Sequence, residues 1–119
     1  MTVEAKADEP FGPTIAQRLA AAPQNSNVRR RILSLCRSVL GCEPSKARDL
    51  RYQLLQGIAG TLIFAKAQKA ASAVFIVYEF DGPSCSVHNL QRNAADLVSF
   101  LAALSPPTTA IRVGQIVGP

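Results

Sequence analysis

A chain of 119 residues, 48% apolar and 18% charged, is sized for one small domain spanning residues 1–119 and carries enough apolar surface to offset the entropy of ordering it. Whole-chain disorder, collagen and coiled-coil architectures are excluded by that composition. Thirteen Lys and Arg against eight Asp and Glu leave a net charge of +5, and the excess is concentrated between Arg29 and Arg51.

Thr2 to Ala7 reads as a short strand, with Val3 and Ala5 on one face and Glu4 and Lys6 on the other. Asp8-Glu9-Pro10-Phe11-Gly12-Pro13 is a turn-rich connector, because two prolines and a glycine continue neither a strand nor a helix. Its first two residues, Asp8 and Glu9, are carboxylates that lie after the strand. Thr14-Ile15-Ala16-Gln17 has capping-box spacing and opens a short helix to about Ala22. After a polar loop, Ser26 or Asn27 caps a helix from Val28 to Leu40. Val28, Ile32, Leu35, Cys36 and Val39 form its apolar stripe, and Gly41 stops it.

Glu43-Pro44-Ser45 reads as a linker before the longest helix, from Ala47 to Ala70, with Leu50, Leu54, Ile58, Leu62 and Ala65 inward. Gly57 and Gly60 weaken such a helix, so another backbone is expected to cross it there. Ala73 to Phe80 is a continuous β-branched and aromatic run, expected as a central strand buried on both faces. Asp81-Gly82-Pro83 ends it. A helix from Ser86 to Leu104 follows, with Leu90, Ala94, Leu97, Leu101 and Leu104 inward, and Ile111 to Val117 reads as a last strand.

Strand, helices, strand, helix, strand is the order of an α/β sandwich with a short mixed or parallel sheet of about three strands flanked by helices. A sheet that thin leaves an open edge, which a second copy of the chain could pair. The longest uncharged run in the middle of the chain, 52–65, is too short for a bilayer span, and the N-terminus lacks the apolar region of a signal peptide. No membrane association is expected, and the expected location is cytoplasmic. Cys36, Cys42 and Cys85 have neither paired-ligand spacing nor an even count, and Cys36 falls on an apolar helix position as a small buried hydrophobe.

Two features point to chemistry. Residues two apart on a strand project from one face, so the Glu4 carboxylate and the Lys6 amine lie side by side. A carboxylate there is an oxygen ligand for Mg²⁺ or Mn²⁺, and a neighbouring lysine can orient an attacking water or stabilise charge on a phosphate. The second feature is charge: Arg29, Arg30, Arg31, Arg37, Lys46, Arg48 and Arg51 face only Glu43 and Asp49 in their stretch. A basic segment of this kind attracts DNA or RNA. Tyr52 reads as a helix residue at the core boundary, His88 as a surface residue, and Glu79 as a strand-end carboxylate.

The stretch VEAKADEPFGPT, followed by DLRYQLLQGIAGTLIFAKAQKAASAVFIVYEF, resembles a bacterial family of restriction-endonuclease-like proteins of the PD-(D/E)xK nuclease superfamily. The resemblance runs from Val3 to about Leu104, and E-P-F-G and R-Y-Q-L-L are its more specific parts. It implies a helix-flanked sheet in which Glu4 binds a divalent metal and Lys6 assists the water. It also implies that Arg51 or Gln53, on the following helix, contributes beside the site. The superfamily places a further aspartate on a preceding strand, and this chain has Met1 one residue before the E-x-K strand. The expectation is therefore the C-terminal portion of a nuclease-like domain, catalytically incomplete. The alternative is a small homodimeric interaction module with no catalytic activity.

Overall fold

The computed structural model describes residues 1–104, so the strand expected over 111–117 lies outside the described residues. Two strands form a parallel pair, β1 (Thr2–Lys6) and β2 (Phe75–Glu79), with Thr2 opposite Phe75 and Lys6 opposite Glu79. Parallel neighbours cannot be joined by a hairpin, and the helices between them supply the crossover. The fold is α/β. Among the described residues the sheet has two strands rather than three.

The first helix, α1 (Ile15–Ala21), begins where Thr14 predicts. The Gln17 amide donates to Thr14 Oγ1 at 3.2 Å, and the Thr14 amide donates to Gln17 Oε1 at 2.8 Å, a reciprocal capping box. Helix α2 (Asn27–Leu35) is capped by Ser26. Its stripe faces inward as its spacing predicts: Ile32 and Cys36 are fully buried, and Val28, Leu35 and Val39 pack against them. Burial pushes the Cys36 thiol up from its ordinary value, so it stays protonated. The expected single helix to Leu40 changes pitch, since Cys36–Leu40 is a π-helical segment that stops at Gly41 in the left-handed conformation, φ 64°. The linker expected over Glu43-Pro44-Ser45 runs into one 3₁₀ turn, Pro44–Lys46.

The long helix does not start at Ala47. Residues 48–51 pair with the start of α1: Thr14 and Arg51 form an isolated antiparallel bridge, the Ile15 amide donates to the Leu50 carbonyl at 2.9 Å and the Ala16 amide to the Arg48 carbonyl at 2.9 Å. These bonds compete with helical ones, and α3 begins at Tyr52 and ends at Ala67 (Tyr52–Ala67). It buries Tyr52, Leu54, Leu55 and Ala59, whereas Leu62, expected inward, is 49% exposed. At Gly57 the close neighbour is a side chain and not a backbone: a Cβ there would meet the Phe75 ring at 2.7 Å, while nothing lies within 4 Å of one at Gly60.

β2 is not buried on both faces. Phe75, Val77 and Glu79 turn toward the helices, and Ile76 and Tyr78 face the other way with substantial exposure. The last helix, α4 (Val87–Leu104), buries Phe100 and Asn93, with Leu90, Leu97, Leu101 and Leu104 half-buried. Ala94, expected inward, is exposed. Phe11, Ile15, Ile32, Cys36, Leu54, Leu55 and Phe100 meet in one core on the helical side of the sheet. Among the described residues no helix is long and apolar enough to cross a membrane.

Candidate functional site

The strand period turns Thr2, Glu4 and Lys6 toward the helices and leaves Val3 and Ala5 on the open face. The polar residues of β1 thus take the inner side. Thr2 closes a hydroxyl–hydroxyl contact with Thr61 of α3. Lys6 is 4% exposed, and burial of an ammonium is costly unless it is paired. Its Nζ lies 3.2 Å from Glu4 Oε1 and 3.6 Å from Glu9 Oε1, and 5.5 Å from the centre of the Phe11 ring. Gln53, on the first turn of α3, donates from Nε2 to the same Glu4 oxygen at 2.7 Å.

Glu9 reaches Lys6 because the connector turns back. Asp8 adopts φ 58° and Gly12 φ 73°, both left-handed, and between them Phe11 drops into the core. Helix α4 pins this turn. Asp8 Oδ1 accepts from the Ser86 amide at 2.7 Å and from Asn89 Nδ2 at 3.1 Å, at the N-terminal end of α4. Asn93 Nδ2 donates to the Glu9 carbonyl at 2.9 Å and to Glu79 Oε1 at 2.6 Å. The connector thus returns Glu9 to Lys6, while Asp8 is taken up by α4.

An open cleft of about 470 Å³ lies over this arrangement, lined by Lys6, Glu9, Phe11, Arg18, Tyr52 and Gln53 among others. The Arg18 guanidinium sits 6.0 Å from the centre of the Tyr52 ring. The cleft is thus lined by two cations, Lys6 and Arg18, by the Gln53 amide and by the exposed carboxylate of Glu9. The cations and the amide are the donors an anion would use, and Glu9 opposes it.

The residues singled out from the sequence divide into two groups. Glu4, Lys6 and Gln53 come together. Arg51 is buried and directed elsewhere: Nε donates to Asp96 Oδ2 at 2.8 Å and Nη1 to the Gly12 carbonyl at 2.8 Å, which ties the turn to α4. Arg29 closes the end of α1, donating to the Leu19 carbonyl at 2.9 Å and to the Ala22 and Pro23 carbonyls at 3.2 Å each. Arg30 and Arg31 are exposed, with no carboxylate partner among the described residues. Arg37 pairs with Glu43, and His88 is exposed.

Arg18 and Asn93 carry no motif that would single them out, and Glu9 is marked only as the first residue of the E-P-F-G segment. The one sequence-level signal of the other two is position: Arg18 lies in the helix that follows that turn, and Asn93 lies on the inner side of α4.

Among the described residues no three Asp, Glu, His or Cys side chains come together. Oε1 of Glu4 already accepts from Lys6 and Gln53. These residues do not by themselves make a site for Mg²⁺ or Mn²⁺, which needs several oxygens in near-octahedral array.

Fold and site together define a small α/β domain with a buried lysine–carboxylate pair at the foot of an open cleft. The chain belongs to the DUF6946 family, a domain of unknown function whose family description matches residues 1–119. No curated protein and no solved structure matches it.

Proposed function

We propose that this chain is a restriction-endonuclease-like domain that binds nucleic acid in the cleft over Lys6. The observation that carries the reading is the convergence of Glu4, Lys6 and Gln53 at the foot of a cleft that also contains Arg18. A phosphodiester is a diffuse anion with acceptor oxygens, and an ammonium and a guanidinium facing one cleft match it. The net charge of +5 supports the encounter with a polyanion. Glu4, Lys6 and Gln53 correspond to the half of a cleaving centre that the resemblance implies. The metal-dependent half is not supplied by the described donor set, so the reading rests on binding.

The test is anisotropy of labelled single-stranded and duplex DNA at low salt, with the Lys6→Met variant beside the parent. Binding that weakens as salt rises, with a log–log slope smaller by about 1 in Lys6→Met, is expected. No association of the parent at low salt overturns the reading.

A second reading, the homodimeric interaction module, is favoured by a different observation. The outer face of the sheet carries Val3, Ile76, Tyr78 and Phe80, all exposed. Parallel sheets are ordinarily covered on both faces.

A further inference from the structure

Resting on the nucleic-acid reading, we infer that Glu9 is a built-in competitor for the ligand phosphate, and that binding exchanges the Lys6–Glu9 ion pair for a Lys6–phosphate pair. The two carboxylates beside Lys6 are not equivalent. Glu4 is 23% exposed by side chain, 3.2 Å from Nζ, and held in place by Gln53. The Glu9 side chain is 60% exposed and stands 3.6 Å away, and among the described residues no side-chain donor other than Lys6 holds it. It lines the cleft.

An anion entering the cleft can reach Nζ from the side that Glu9 covers. The exchange needs little rearrangement. The Glu9 backbone is pinned through its carbonyl by Asn93, so a rotation of the side chain suffices. A carboxylate that swings outward is rehydrated, which makes its release inexpensive, whereas release of the more buried Glu4 would cost more. Lysine presents three donors, so its bond to Glu4 persists while the partner on the cleft side changes.

This arrangement makes the cleft selective. A lone monovalent anion gains at Lys6 only what Glu9 already provides. A phosphate in a nucleic-acid strand adds contacts at Arg18 and along neighbouring phosphates, and so outcompetes the tethered carboxylate. Glu9 is thus a specificity-determining residue that favours a phosphodiester chain over small anions.

The experiment is anisotropy of a fluorescein-labelled single-stranded oligodeoxynucleotide at fixed low salt with the parent, Glu9→Gln, Lys6→Met and the double variant. Glu43→Gln serves as a charge-matched control, because Glu43 is a similarly exposed carboxylate paired with Arg37 outside the cleft lining. Glu9→Gln is expected to tighten binding about threefold to fivefold, the scale of an exposed ion pair. Glu43→Gln should gain less, and Glu9→Gln should gain nothing when Lys6 is already Met. Glu9→Ala is the second variant if the melting temperature of Glu9→Gln departs from the parent.

If the parent binds and Lys6→Met weakens it, but neither Glu9 variant tightens it, the exchange is overturned and the nucleic-acid reading stands. Equal gains for Glu9→Gln and Glu43→Gln overturn the exchange as well, by showing a general charge effect. If the parent is silent, the nucleic-acid reading falls and the exchange falls with it, even where Glu9→Gln binds. If neither binds, both fail.

Discussion

At the scale of single residues, the arginines show how little a charge run says about its use. Arg29 and Arg51 look like members of one basic face. Each is instead consumed by main-chain carbonyls or a carboxylate that folding brings to it. Arg51 illustrates the energetics. Its pair with Asp96 is largely removed from water, and the same guanidinium holds the Gly12 carbonyl of the E-P-F-G turn. Removing one member of such a pair leaves the other desolvated without compensation. Arg51→Gln should therefore lower the unfolding free energy by about 3 kcal/mol in urea titration. Arg51→Lys should recover part of that, because an ammonium keeps the charge but cannot make the same two-way contact. If Arg51→Gln unfolds at the urea concentration of the parent, the clamp is not structural. Glu4 and Lys6 were legible at this scale because side-by-side placement needs nothing beyond the strand period. Glu9 was not, because its return to Lys6 depends on two left-handed residues and on Asn93 of a distant helix.

At the scale of elements, local chemistry located starts better than extents. Thr14 and Ser26 begin their helices as capping residues should, and Gly41 ends the second one. The start of α3 escaped the sequence reading because residues 48–51 are claimed by backbone bonds to residues 13–16, a long-range pairing with no local signature. The two glycines of α3 separate local propensity from packing. Replacing a helical glycine by alanine ordinarily stabilises by up to about 1 kcal/mol. Gly60 faces open space, so Gly60→Ala should raise stability by roughly that amount. Gly57 lies under the Phe75 ring, with 2.7 Å from the would-be Cβ to the nearest ring carbon. The overlap displaces a ring that packs between α3 and the core, and Gly57→Ala should lower stability by about 1 kcal/mol instead. Thermal melts of the two variants in parallel decide this, and shifts of the same sign would remove the argument for tight contact at Gly57.

At the scale of the whole molecule, the described residues leave a two-stranded parallel sheet covered by helices on one side only. The other side presents Val3, Ala5, Ile76 and Tyr78, with Tyr78 and Phe80 in edge-to-face contact, ring centres 4.9 Å apart. On the interaction-module reading, light scattering should show a dimer that persists when Glu4 and Lys6 are both replaced and dissociates in Ile76→Lys. A monomer at all concentrations counts against that reading. The apolar run from Ala73 to Phe80 suggested a strand covered on both faces, because hydrophobicity alone does not reveal whether a covering layer is present. The sequence by itself determined the α/β class, the helix caps, the inward stripe of α2 and the adjacency of Glu4 and Lys6. All of these follow from interactions within a few residues or from a fixed period. Tertiary structure alone decided that Gln53 rather than Arg51 meets Glu4, that Glu9 returns to Lys6, and that Asn93 holds the turn. Those contacts join residues 14 to 84 positions apart, or depend on a reversal of the chain direction, and no local periodicity encodes them.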